Sequence, residues 1–400
     1  MFEIANRLKN VEISASAAIT DMVRDLRREG SNVLSLSSGE PDFPTPRHAI
    51  EAAYAAALAG DTKYPNLDGT HALKQAIQRK FKRENGLDYA LNEILVANGG
   101  KQVIYNAILA SCNPGDEVIV PAPGWISYAD IVTLAEAKPV PVPCHAENGF
   151  LMSAAVLEAA ITPKTRWLLL NFPNNPTGAV ATKENLQAIA DVLLRHPGVL
   201  VMSDDIYEHL RYDDVQFWTM AQVEPRMKER TLTVNGVSKS YAMTGWRVGY
   251  CGGNSDLIAA MKNMQAQICG GICTLSQAAA VAVLDGPQDV LIEQAEIYRL
   301  RRNEVHALLN DAPGVTCHLP DGAFYLYANI AACIGKTTAG GQLIQSDTDF
   351  VKALLAEQHV ATVQGSAYGM SPYFRISYAT DMDTLRAACL AIRRFCEQLR

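Results

Sequence analysis

The chain has 400 residues, 48% of them hydrophobic and 19% charged, so it is long enough for roughly two or three domains and too apolar to stay disordered. Its 42 acidic residues outnumber 35 basic ones and leave a net charge of −7, a balance that argues against a nucleic-acid or anionic-membrane binder. Nine cysteines are scattered without CxxC or zinc spacing, the closest pair being Cys269 and Cys273, as expected of free thiols in a reducing cytoplasm.

The start, MFEIANRLKN, lacks the apolar core of a signal peptide, and no apolar run approaches the ~18 residues of a membrane span. A cytoplasmic protein is the expectation. The short charge runs RREG (27–30) and KFKREN (80–85) read as solvated helix faces. AIEAAYAAALAG (49–60) predicts a helix stopped by glycine, and HALKQAIQRKFKREN (71–85) and VIYNAILASC (103–112) predict two more. EVIVPAP (117–123), RWLLLNFP (166–173), GVLVMSDD (198–205) and TLTVNG (231–236) are short apolar runs that predict buried strands. Strands separated by helices imply an α/β fold with a mostly parallel central sheet. The later chain changes character. A long helical pattern (287–310) precedes the strand-like FYLYANI (324–330), a Gly/Thr-rich loop (333–347), a helix from about Thr348, strands near 361–369 and 374–379, and a last amphipathic helix. The expected organisation is an N-terminal segment (1–48) joining a smaller α+β domain (287–400), with a large cofactor domain (49–286) between them.

Ligands in open α/β sheets bind outside the carboxyl ends of the strands. Here those ends are followed by Trp125, by Asn174-Asn175-Pro176-Thr177-Gly178, by Asp204, Asp205 and Tyr207, and by Ser238 and Lys239. An aromatic ring, an amide, a carboxylate, a phenol and an amine thus share one sheet edge. Gly99-Gly100 immediately before a helix adds an anion site, because exposed N–H groups and the macrodipole favour negative charge there. Arg247 interrupts the apolar run WRVGYCGG, where an arginine seldom belongs without a partner. These pieces suit an aldehyde cofactor: a lysine amine condenses with the carbonyl, a carboxylate keeps the ring nitrogen protonated, and an arginine matches phosphate geometry.

On SSGEPDFPTP (37–46), NNPTG (174–178), SDDIYEHL (203–210), SKSYAMTGWRVGY (238–250) and FRISYA (374–379), the chain resembles the fold-type I pyridoxal-phosphate aminotransferases from about Ile13 onward. It is most similar to the bacterial aspartate aminotransferases of the branch that includes aspartate/prephenate enzymes. The resemblance implies a pyridoxal 5'-phosphate cofactor and a homodimer with shared sites. It implies Lys239 as the Schiff-base lysine and proton shuttle, its pKa lowered by cationic neighbours. Asp204 matches the partner of the ring nitrogen, Asn175 and Tyr207 the donors to the ring oxygen, and Trp125 the stacking ring. Gly100, Lys101 and Arg247, with Ser238 beside them, match the phosphate site, and Tyr64 matches a tyrosine reaching the phosphate of the partner subunit. Arg375, joined by Gly39, matches the grip on the substrate α-carboxylate. Glu40, Asp42 and Glu208 read as structural.

The substrate is less fixed. QICGGIC (267–273) lacks the polar residues of dicarboxylate-specific relatives, and Glu12 stands where prephenate-active relatives carry a lysine. An aspartate-like donor with 2-oxoglutarate as acceptor is the first expectation. A neutral, aromatic or basic donor, or a C–S lyase on the same fold, is the alternative. No GxGxxG follows an early strand to support a NAD enzyme, and too little chain precedes the first helix of the large domain for an aminotransferase-like regulator.

Overall fold

The computed structural model describes residues 3–9, 11 and 15–400. A seven-stranded sheet runs in the order Ile94–Ala97, Gly249–Gly252, Thr231–Gly236, Leu200–Asp204, Thr165–Asn171, Glu117–Ala122 and Lys138–Pro143. Six strands point the same way, and Gly249–Gly252 is antiparallel to both of its neighbours. Alternate residues feed two separate cores, as the two-residue period of a strand requires. Val118, Trp167, Leu169, Met202 and Leu232 pack on one face, whereas Ile119, Leu168, Leu170 and Val201 pack on the other.

The edge strand Lys138–Pro143 is hidden in the sequence by its three prolines. Its geometry explains why they are tolerated. Lys138 N donates inward to Asp116 O, and Cys144 N donates inward to Ala122 O. Pro139, Pro141 and Pro143 therefore occupy the positions whose missing N–H would face outward, which blunts the edge against pairing with another chain.

The helices Arg47–Leu58, His71–Lys80 and Gly100–Ser111 fall where the sequence predicts them, the last starting three residues early, at the Gly-Gly turn. KFKREN departs from its expectation as a solvated face. Lys80, Phe81 and Asn85 are buried, and Phe81–Asn85 widens into one π-helical turn that Gly86 closes in the left-handed region. RREG is exposed as expected.

Beyond the 22-residue helix Asp289–Asn310, a four-stranded antiparallel sheet runs in the order Val363–Gln364, Tyr373–Ser377, Tyr325–Asn329 and Thr316–Cys317. Leu34–Ser35 pairs in parallel with Val360–Ala361, so the N-terminal segment lies against this part of the chain. Helices Asp347–Gln358 and Met382–Glu397 cover it with a core of Phe350, Phe374, Leu385, Ile392 and Phe395. Among the described residues no helix is long and apolar enough to cross a membrane.

Gly249 is the tightest point of the large sheet. It pairs with Gly236 on one side and Ala97 on the other, and a Cβ there would overlap the backbone of Gly99 and Gly100. All of those atoms are main chain, so nothing flexible gives way. Gly249→Ala is expected to cost about 1–3 kcal/mol by overpacking, read as a lower midpoint in denaturant unfolding. A variant as stable as the wild type would contradict this packing.

Candidate active site

The parallel strands of the large sheet end at one edge, and there the polar residues gather. The reversed strand begins at that same edge, so it delivers Arg247, two residues before Gly249, to the place where the others finish. Arg247 is thus no interruption of a strand. It sits in the turn before one, at φ 56°. A cavity of about 570 Å³ opens here, lined by Gly39, Gly100, Lys101, Trp125, Asn175, Asp204, Tyr207, Ser238, Lys239, Arg247 and Arg375. Of the site residues expected from sequence, Tyr64 alone stands apart; its side chain is fully exposed, at 102%, and it does not line the cavity.

One end of the cavity is an anion cradle. Gly99, at φ +86°, caps the helix Gly100–Ser111, whose first amides have no partner within the helix. The Arg247 guanidinium closes over this turn, donating to Thr244 O at 2.8 Å and to Asn98 O at 3.2 Å. A Cβ on Gly99 would collide with it. The other end is a second cationic clamp. Arg375 is 2% exposed, yet its bonds go to neutral oxygens, Ser37 O at 2.6 Å and Asn175 Oδ1 at 3.1 Å. Its Nε has no partner, and among the described residues no carboxylate pairs with it. Tyr325 and Tyr368 pack against the guanidinium, their ring centres 4.4 and 5.2 Å from its carbon. A desolvated cation held this way is poised for an anion.

Between the two clamps lie the titratable groups. Burial pushes the Asp204 carboxyl up to about 6, against the opposing pull of the Tyr128 hydroxyl, the Ile206 amide and Lys239. Tyr128 donates to Asp204 Oδ2 at 2.6 Å and meets Trp125 edge-on, the ring centroids 5.2 Å apart. Lys239 Nζ donates to Gly39 O at 2.5 Å. Burial lowers its pKa from 10.5 to about 8; Glu40 opposes the shift, and Arg375 and Arg247 add to it. Desolvation, more than the cationic neighbours expected from sequence, is thus the main cause.

Tyr207 and Tyr325 share a hydrogen bond of 2.9 Å. Asn175 N donates to Asn171 Oδ1 at 2.9 Å, and the Asn174 side chain accepts from Thr177 N at 3.1 Å, so the NNPTG turn is pinned by its own amides. Lys101 extends over the Trp125 ring, Nζ 4.9 Å from the centroid, with its pKa lowered by burial and by Arg247.

Three contributors escape the sequence reading. Tyr128 and Tyr325 look like ordinary helix and strand aromatics, and only the fold aims their hydroxyls at Asp204 and Tyr207. Glu40, read as structural, lines the cavity and accepts from Thr244 Oγ1. Glu12 lies outside the described residues. None of Gln267–Cys273 lines the cavity; a Cβ on Gly271 would press on Pro65 and Asn66, beside Tyr64.

The family model for aminotransferase class I and II matches residues 31–392. An aspartate aminotransferase of Rhizobium meliloti is 51% identical over 398 residues, covering 100% of this chain and 97% of that protein. An aspartate/prephenate aminotransferase of Cereibacter sphaeroides is also 51% identical, over 99% of both chains. The crystal structure of the aspartate aminotransferase from Rhizobium meliloti superposes with a TM-score of 0.97 at 50% identity, covering 100% of both chains. That of Thermus thermophilus aspartate aminotransferase with maleate gives 0.92 at 36% identity, over 99% of this chain and 100% of that one. The chain belongs to the class I and II aminotransferases, enzymes that transfer amino groups.

Proposed function

We propose that this transaminase moves the amino group of an aspartate-like dicarboxylic amino acid to a 2-oxo acid such as 2-oxoglutarate, with pyridoxal 5'-phosphate as its cofactor. The donor set of the cavity fits that cofactor. The Gly100 and Lys101 amides with Arg247 would hold its phosphate, Ser238 beside them, and Trp125 would cover its ring. The buried Asp204 would keep the ring nitrogen protonated. Asn175 already spends Oδ1 on Arg375, which leaves its Nδ2 hydrogens for the ring oxygen. Tyr207 has its hydrogen free for the same oxygen when Tyr325 is the donor in their shared bond.

When bound, the cofactor supplies an aldehyde carbon that takes up an amino group and a protonated ring that draws electrons away from it. The chain's own residues do the rest. Arg375 binds the α-carboxylate, assisted at Gly39, and fixes which bond at the α-carbon faces Lys239. The Lys239 amine would take the proton from the substrate α-carbon and hold it for return. A pKa of about 8 gives it a substantial neutral fraction at neutral pH, which an exposed lysine lacks.

One observation carries the dicarboxylate reading. After the cradle uses Arg247 and the α-carboxylate uses Arg375, a third cation, the Lys101 ammonium, still projects over Trp125 into the cavity. Among the described residues Asp130 is the carboxylate whose charge acts on it, from outside the cavity lining. A distal carboxylate satisfies it and a neutral side chain does not. The maleate bound to the Thermus relative is itself a dicarboxylate.

A homodimer is part of the same proposal. Tyr64 is wholly exposed, and Ile50, Tyr54 and Leu58 form an exposed apolar row on one helix. A second copy would bring Tyr64 and the Gln267–Cys273 segment beside the partner's cavity. Nine free cysteines agree with a reducing, cytoplasmic location.

The purified protein with pyridoxal phosphate is expected to show a visible absorbance band that is missing in Lys239→Ala; a wild type that gains no band would defeat the cofactor reading. Lys101→Met keeps the backbone amide of the cradle and removes the charge. It is expected to lower kcat/KM for aspartate roughly 10- to 100-fold, the worth of one hydrogen bond to a charged group, and to leave alanine little changed. An equal loss on both donors, measured in a steady-state panel, contradicts the role given to Lys101.

The Lys239 amine also has a linkage signature. Its folded-state pKa, about 8, lies below the 10.5 of the unfolded chain, so the unfolded chain binds more protons between those values and stability rises with pH there. Cofactor-free Lys239→Met is expected to melt above the wild type at pH 7, with the gap closing from pH 8 to 10.5. A gap independent of pH rules this out.

A further inference from the structure

Behind the cavity, on the far side of the turns that carry Tyr207 and Lys239, lies a buried cluster of ionisable groups that the reaction above does not use. Lys80, Glu84, Glu208 and His209 come from the end of helix His71–Lys80, the π-helical turn after it, and the segment following Asp204. Lys80 Nζ is ion-paired with Glu208 and lies 3.5 Å from Glu84. His209 Nε2 meets Glu84 Oε2 at 2.9 Å. The same Glu208 Oε1 also accepts from Asn235 Nδ2 at 2.6 Å, and Glu208 Oε2 accepts from Asn85 Nδ2 at 2.9 Å.

Glu84, Glu208 and His209 have the donor set of a cation site, but the Lys80 ammonium already lies against both carboxylates. The cluster's outlet lies elsewhere: His209 Nδ1 is 2.8 Å from the hydroxyl of Ser240, the residue after Lys239. Residues 237–243 form an irregular turn with neither helix nor strand to hold it. Its backbone is tied internally by Met243 N to Ser238 O at 3.1 Å and Tyr241 N to Val237 O at 3.3 Å, and at its ends by Val237 N to Val248 O and Trp246 N to Met243 O, both 3.3 Å. Val237, Tyr241 and Met243 are buried in the core, and the His209 bond adds a polar anchor on the residue next to Lys239.

We infer that the Lys80–Glu84–Glu208–His209 cluster is a positioning device that, through the His209–Ser240 hydrogen bond, presents the Lys239 amine to the cofactor's aldehyde carbon. This rests on the proposed role of Lys239. A fully paired buried network adds little stability over apolar residues of the same size, and its use is to fix one arrangement. Glu208 follows Tyr207 directly, so the same cluster also fixes the distance between the turn bearing Tyr207 and the turn bearing Lys239.

The test compares pyridoxal phosphate with pyridoxamine phosphate, which lacks the aldehyde and forms no bond to Lys239. Dissociation constants for both would be measured by tryptophan fluorescence on the full-length, cofactor-free wild type, Ser240→Ala, His209→Ala and the double variant. Ser240→Ala removes a single hydroxyl and tests the idea even where His209→Ala folds poorly. The expected result is a roughly five-fold loss of the preference for pyridoxal phosphate, the size of one hydrogen bond. Pyridoxamine phosphate affinity stays unchanged, and the double variant is no worse than either single one. Parallel loss of both affinities, or no change in either, overturns the inference. A wild type with no preference for the aldehyde instead overturns the role of Lys239 itself, and the inference with it.

Discussion

The organising constraint of this molecule is a surplus of positive charge around one cavity. Arg24 has its own partner in Asp21 at the rim. Lys101, Lys239, Arg247 and Arg375 remain, facing Asp204 and Glu40, with Asp130 acting on Lys101 from outside the lining. Arg375 is buried and Lys239 half-buried, while Lys101 and Arg247 reach the open side of the cavity, so the desolvation penalty that an anion would relieve falls on Arg375 above all. The cavity is therefore built for a ligand with several negative groups, and the spacing of the cations along it dictates where those groups lie. On the proposed reading a phosphate meets Arg247 and the helix amides, an α-carboxylate meets Arg375 and a distal carboxylate meets Lys101.

The fold exists to hold those cations apart and aimed. Parallel strands bring Trp125, Asn175, Asp204 and Lys239 to one edge because their loops all leave the same side of the sheet. The single reversed strand is what adds Arg247. Its cost is crowding: Gly249 lies between Gly236 and Ala97, with the Gly99–Gly100 backbone directly above. The guanidinium is thus held over the helix amides by main-chain packing at Gly249 and by its own bond to Asn98 O.

Much of this was legible in the sequence because the expected site residues sit in short contiguous motifs at strand ends. Lys239, Asp204, Asn175, Arg247 and Arg375 converge as those motifs imply. What escaped depended on geometry that spacing does not encode. Three prolines concealed an edge strand whose outward-facing positions need no N–H. KFKREN has the composition of a solvated face, yet Lys80 is buried because Glu208, more than 120 residues later, supplies its counter-charge. Tyr128 is separated from Asp204 by 76 residues and carries no motif of its own.

The two groups at the chemical centre show how one physical effect produces two functions. Desolvation favours the neutral form of both an acid and an amine. It raises Asp204 to about 6 and lowers Lys239 to about 8, so the same burial shifts them toward each other. For Lys239 in its proposed role as a base this would be the useful direction, since a base must be partly unprotonated near neutral pH. For Asp204 in its proposed role beside a ring nitrogen it would be the opposite, because that task needs the carboxylate charged. The Tyr128 hydroxyl and the Ile206 amide work against the shift, and a cationic ring nitrogen would complete the reversal. At neutral pH a carboxyl with a pKa of about 6 is already mostly ionised, and on the proposed reading a cationic ring nitrogen would lower that pKa further.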